Sequence, residues 1–184
     1  MQKINIETEK KFLEAEKLRN SGKHQEAIEI LARIIQQYPN FLPAINNIAL
    51  NYVNLKKFDE AEKYYKICLS IKPDELIFIN NLAKVFHDTN AYKKAIPLLQ
   101  KSLNLNSNQI EIMRITAKCL FEIDLRKELD VFFSKALKVF PNDKTLSYYY
   151  GRNLLRMNKH ISGLSILKET IGVIEFDEKR FKVL

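Results

Sequence analysis

Residues Phe41–Ala49 read FLPAINNIA, and residues Glu75–Ala83 read ELIFINNLA. Both set the dipeptide Asn-Asn between apolar residues, and they lie 34 residues apart. The interval recurs downstream, where Phe58-Asp-Glu-Ala61 matches Tyr92-Lys-Lys-Ala95. Pro39, Pro73 and Pro141 fall on the same spacing, with Ser107 in the intermediate place. A fixed period of this length marks an array of small units that share a core with their neighbours. Extended both ways, the period divides the chain into five units, 8–41, 42–75, 76–109, 110–143 and 144–177. A lead-in covers 1–7, and the spacing leaves 178–184 as a short C-terminal helix or tail.

Each unit reads as two amphipathic helices, A then B. In the second unit, Ile45, Ile48, Ala49 and Tyr52 recur at helical spacing and form one apolar stripe. Ala61, Tyr65, Cys68 and Leu69 form the other. A short turn separates them, which in the first unit holds Gly22, the residue type best suited to a positive φ. Pro73 stops the second helix. Positions 8, 20 and 27 of the units hold Ala15, Ala27 and Ile34; Ala49, Ala61 and Cys68; Ala83, Ala95 and Ser102; Ala117, Leu129 and Ala136; Gly151, Gly163 and Thr170. Thirteen of these 15 are Ala, Gly, Ser, Cys or Thr, types that make up 30 of the 184 residues. Chance would give two or three such matches, so helix backbones are expected to approach closely there, with larger residues such as Tyr65 and Leu99 filling the remaining space.

Composition agrees with an all-α protein. The chain has 4 Gly and 5 Pro, few for the turns of an all-β fold or for phosphate-binding loops. Two cysteines, Cys68 and Cys119, do not make a disulfide framework and are expected as buried thiols. The start of the chain is charged with no apolar stretch after it, and no run of ~18 apolar residues occurs anywhere, so neither a signal peptide nor a membrane helix is expected and the cytoplasm is the default location. Net charge is +8, from 30 Lys and Arg against 22 Asp and Glu, which favours acidic partners. The charge is dispersed without long basic runs, which disfavours nucleic acid. No GxGxxG, Walker loop, HExxH or CxxC is present. His24 and His160 share unit position 17 with Phe58 and Tyr92 and read as turn-packing residues, and His87 has no Cys or His at metal spacing. No catalytic residue, metal site or cofactor is expected.

The period, the paired helices and the small-residue positions resemble the tetratricopeptide repeat (TPR) family over residues 8–177. The resemblance is weaker in the fifth unit, where Gly163 and Gly172 would sit inside helix B at up to ~1 kcal/mol each. It implies an α-solenoid of five helix-turn-helix units wound into a right-handed superhelix, with helices A lining a concave groove that binds peptides or proteins. On this resemblance the groove-facing residues are Asn46, Asn47 and Leu50 in the second unit and Asn80, Asn81, Lys84 and His87 in the third. Arg114 and Lys118 follow in the fourth, and Tyr148, Tyr149, Arg152 and Arg156 in the fifth.

Three features of that surface carry the functional expectation. Asn47 and Asn81 share one unit position, beside Asn46 and Asn80, and resemble the asparagine ladder with which TPR domains grip a peptide backbone, since an amide both donates and accepts. Lys84, Arg114, Lys118, Arg152 and Arg156 make the later part of the groove basic, suited to an acidic segment. Tyr148 and Tyr149 supply aromatic anchors of the kind enriched at interfaces. The Lys-Asn-Asn-Lys-Arg pattern that clamps a C-terminal carboxylate is not met in any window. The expected function is a non-catalytic adaptor binding a peptide segment. The alternatives are a substrate-presenting partner of a separate glycosyl- or sulfotransferase and, disfavoured, a nucleic-acid binder. The short cover after the fifth unit leaves Leu164, Leu167 and Ile171 as an apolar end through which the chain could form a homodimer.

Overall fold

The computed structural model describes residues 4–172 in full and the backbone of 174–177 and 180–183. Ten helices occupy the described residues: α1 (Ile6–Asn20), α2 (His24–Gln37), α3 (Leu42–Asn54), α4 (Phe58–Ile71), α5 (Leu76–Asp88), α6 (Tyr92–Leu105), α7 (Ile110–Glu122), α8 (Arg126–Val139), α9 (Lys144–Arg156) and α10 (His160–Ile171). The odd helices from α5 onward, and the even ones from α4 onward, begin 34 residues after their predecessor of the same kind. The sequence period is thus the helix period. The described helices follow one another as repeated helix-turn-helix pairs. The chain divides into two compact units, Met1–Asn90 with α1 to α5 and Ala91–Leu184 with α6 to α10.

In both units the A-to-B turn is built the same way. Gly22, Lys56, Asn90, Asp124 and Asn158, each 34 residues from the next, have φ of 80°, 57°, 57°, 58° and 61°. A left-handed residue at the end of helix A lets the following N–H reach back to satisfy a terminal carbonyl. Lys23, Lys57, Leu125 and Lys159 donate to Leu18, Tyr52, Leu120 and Leu154 at 2.9–3.1 Å. Glycine was legible at the first turn only; the other four place a side chain in the same strained region.

Small residues set the spacing between paired helices. In the first unit Ala15, Ala27, Ala49 and Ala61 are fully buried, and Leu31, Ile45, Ile48 and Tyr65 close the core around them. Leu99 in the second unit fills the place that Tyr65 holds in the first and is also fully buried. In α9 and α10 the alanines give way to glycines. A Cβ on Gly163 would lie 2.9 Å from the Gly151 carbonyl oxygen, and one on Gly151 2.7 Å from Leu167 Cγ. These glycines therefore permit backbone contact that alanine would obstruct. The 110–143 repeat departs in the other direction. Buried Leu129 takes the small-residue position of α8, and α7 and α8 pack less closely than α9 and α10.

The two ends depart from the sequence expectation. The lead-in is partly helical, because Asn5 caps α1 by accepting from the Thr8 N–H at 2.8 Å and the helix starts at Ile6. At the other end Gly172 does not sit inside helix B. With φ 94° it caps α10 and ends it at Ile171. Strands β1 (Ile174–Asp177) and β2 (Arg180–Val183) then pair antiparallel, Ile174 opposite Val183 and Asp177 opposite Arg180, where a short helix or tail was expected. A glycine at positive φ turns the chain out of helical geometry, and the β-branched and aromatic residues that follow suit extended backbone. Leu167 is buried against Gly151 and is not part of an open face, whereas Ile161 is 88% exposed.

Candidate functional site: the helix-A faces

In the first unit the helix-A face is a web of side-chain amides. Asn47, on α3, is buried and already engaged: its Oδ1 accepts from Arg19 Nη1 at 2.7 Å and its Nδ2 donates to Glu16 Oε1 at 3.3 Å. Asn81 Nδ2, on α5, donates to Asn46 Oδ1 at 3.4 Å. Asn46 and Asn81 thus meet, whereas Asn47 bridges α1 and α3. A peptide that uses Asn47 has to exchange with Arg19 and Glu16. Asn80 and Leu50 are half-buried on the same helices, and Lys84 is exposed. Sequence reasoning missed Asn51, which is fully buried, donates to the Asn47 carbonyl at 2.8 Å and meets His24 Nδ1 at 2.9 Å. His24 is therefore tied to α3 as a positioning residue of the turn.

In the second unit the face carried by α7 and α9 is aromatic and cationic. The Arg156 guanidinium lies 3.5 Å from the centroid of the buried Phe121 ring, and that of Arg152 lies 4.5 Å from it. Phe121 also packs against Tyr149, and Tyr149 against Tyr148, with centroids 5.4 and 5.6 Å apart. Arg152 Nη1 donates to the Tyr148 hydroxyl at 3.2 Å. Such cation–π contacts fix an arginine without neutralising it. Burial, with the nearby Glu122 and Tyr148, holds the Tyr149 phenol above its ordinary range, so it stays a neutral donor.

The basic residues predicted here differ in how much charge they offer. Arg114 is largely spent: its Nε and Nη2 donate to Asp143 at 3.0 and 2.5 Å, and Glu111 adds a contact at 3.4 Å. Asp143 in turn caps α9 by accepting from the Leu146 N–H at 2.9 Å. Burial pushes its carboxyl up, but Arg114 and the backbone N–H groups of Leu146 and Thr145 outweigh burial and hold it below its ordinary value. Arg156 donates to the Phe121 carbonyl at 2.7 Å and approaches Asp124 at 3.5 Å. Arg152 and Lys118 have no acidic partner among the described residues. They are the cations this face presents.

Neither thiol is placed for chemistry. Burial pushes Cys68 and Cys119 up to about 12, so both stay protonated at neutral pH. Among the described residues no cluster of His, Cys, Asp and Glu could hold a metal ion, and no helix is long and apolar enough to cross a membrane.

The tetratricopeptide repeat pattern matches residues 18–77 and, continuing directly, 78–109. With the repeat geometry running through all ten helices, the chain belongs to the tetratricopeptide repeat family. Among relatives in sequence, the regulatory protein RapK of Bacillus subtilis (strain 168) is 30% identical over 151 residues, which cover 71% of this chain and 41% of RapK. The ycf37 protein of Pyropia yezoensis is 33% identical over 63 residues, 34% of this chain and 35% of that protein. The chain thus spans well under half of either relative. Solved structures share the fold. YrrB, described as a TPR protein with an unusual peptide-binding site, superposes with a TM-score of 0.76 at 19% identity, covering 85% of this chain and 81% of YrrB. MamA from Desulfovibrio magneticus RS-1 superposes at 0.82 and 13% identity, covering 91% and 95%.

Proposed function

We propose that this chain is a non-catalytic adaptor whose helix-A faces bind an extended or helical segment of a partner protein. The observation that carries the reading is the α7–α9 surface. Tyr149 and Arg152 are held against Phe121, Tyr148 packs on both of them, and Arg152 and Lys118 keep their charge without an acidic partner. Aromatic and arginine side chains that are fixed in advance lose little entropy on binding, which is why such groups dominate interface energetics. The two unpaired cations favour an acidic segment. The peptide-binding site named for YrrB and the regulatory role named for RapK support a peptide-binding, regulatory adaptor.

The test is affinity capture from a lysate by the full chain, followed by titration of the captured segment. Arg152→Ala and Lys118→Ala are expected to weaken binding of an acidic segment severalfold at low salt. The effect shrinks as the Debye length falls from ~10 Å at 0.1 M toward ~3 Å at 1 M. Wild-type affinity in both variants at low salt refutes the assignment of this face.

A further inference from the structure

A second surface lies on the helix-B side of the residues 91–184 unit. There α6 and α8 flank a cavity of about 850 Å³, floored by α7. The floor residues Met113, Thr116 and Leu120 are buried, and Thr116 Oγ1 is spent on the Ile112 carbonyl at 2.7 Å, so the floor is effectively apolar. Phe132 lines the wall, and Val131 at the rim is 59% exposed. Lys127 and Lys135 stand on the same rim, exposed and without an ion pair among the described residues. One acid, Glu128, also lines the cavity.

Charge on the flanking helices sets the chemistry of an occupant. Helix α6 carries Lys93, Lys94 and Lys101 and no acid. On α8 the acids are Glu128 and Asp130, and Asp130 lies 3.6 Å from Lys159 of α10. In the first unit the B helices α2 and α4 each carry a net charge of −1, so a basic helix-B side is not a general property of the repeat. An apolar trough between two helices takes a third helix ridge-into-groove, and lysines on its rim complement acids flanking that ridge.

We propose that the α6–α8 trough docks an acidic amphipathic helix of a partner protein, its apolar residues on Met113, Leu120 and Phe132 and its carboxylates toward Lys127 and Lys135. This is a surface separate from the α7–α9 helix-A face, and it stands or falls independently. Rim lysines steer and select, and the apolar anchors hold.

The probe is a fluorescein-labelled 16-residue Ala-based helical peptide with leucines at i, i+4, i+7 and i+11 and four glutamates flanking the leucine stripe. A matched peptide has lysines for glutamates. Anisotropy with the full chain is expected to show saturable binding of the glutamate probe and at least tenfold weaker binding of the lysine probe. Val131→Glu and Lys135→Glu change exposed residues, so the fold should persist, as circular dichroism would verify. Each is expected to weaken the glutamate probe about tenfold, and Arg152→Ala to leave it unchanged. The proposal is overturned by no saturable binding, by equal binding of the two probes, or by wild-type affinity in both trough variants. Loss of binding in Arg152→Ala with the trough variants unaffected moves the probe to the helix-A face and also overturns it. A 20-nucleotide single strand that binds more tightly than the probe, and loses affinity in Lys135→Glu but not in Val131→Glu, overturns it in favour of nucleic acid.

Discussion

The pairs α3–α4 and α9–α10 occupy the same register of the repeat, yet reach close contact differently. Ala49 and Ala61 sit where the first pair approaches, both fully buried; Gly151 and Gly163 sit at the equivalent places of the second. The outer faces diverge further. On α3, Asn47 is occupied by Arg19 and Glu16, whereas on α9 Arg152 lies across the Phe121 ring with its charge to spare. The repeat thus specifies size at its inner positions and leaves the chemistry of its outer positions open. Function is to be sought where an outer position is prepared but not spent.

The largest expected effect comes from exchanging the two inner solutions. Alanine normally gains up to ~1 kcal/mol over glycine inside a helix. In α10, Gly163→Ala reverses that sign, because the new Cβ meets the Gly151 carbonyl oxygen at 2.9 Å and one backbone has to move. A loss of roughly 1–3 kcal/mol is expected, against about 1 kcal/mol for Ala61→Gly in α4, which loses only propensity and a methyl contact. Urea midpoints of the full chain measure both. A stabilised Gly163→Ala would mean that α9 and α10 do not pack this closely.

A smaller effect separates the turns. Gly22 and Lys56 share one position and one left-handed conformation, at φ 80° and 57°. Lys56→Gly is expected to stabilise by up to ~1 kcal/mol, since a left-handed side-chain-bearing residue is strained by ~1–2 kcal/mol and glycine returns part of that as chain entropy. Gly22→Ala, with open space around the new Cβ, is expected to destabilise by about the same amount. Equal melting temperatures for Lys56→Gly and wild type would show that the conformation is unstrained.

The smallest effect is the acid response. The Asp143 carboxyl is held below its ordinary 3.8 by Arg114 and two backbone N–H groups, against the opposing influence of burial. Its stabilising contribution is therefore complete above the ordinary value and is lost as pH falls through the lowered one. Asp143→Asn should flatten the pH dependence of stability below pH ~4 and leave its shape above that unchanged. A profile with the wild-type slope between pH ~4 and ~2 would place the acid response elsewhere.

The helix register was legible because two nearly identical nine-residue stretches and the small-residue positions repeat with it. The left-handed turn was read at Gly22 alone; Asn90, Asp124 and Asn158 are types that also favour left-handed backbone and went unread, whereas Lys56 carries no local sign that it shares their φ. Gly172 was misread because periodicity predicts a continuing helix and cannot distinguish an interior glycine from a capping one. The engagement of Asn47 was hidden for another reason: Arg19 lies 28 residues upstream, and their contact depends on how α1 packs on α3. The α6–α8 trough was invisible for the same reason, since no run of sequence contains both of its walls.

The central claim is that the α7–α9 helix-A face binds the partner. Amide hydrogen exchange of the full chain, with and without the captured partner segment, tests it most directly. The account predicts added protection at Lys118, Phe121 and Tyr148–Arg152, with little change in α2 and α4. Protection confined to helix-B segments, with α7 and α9 exchanging as in the free chain, would contradict it.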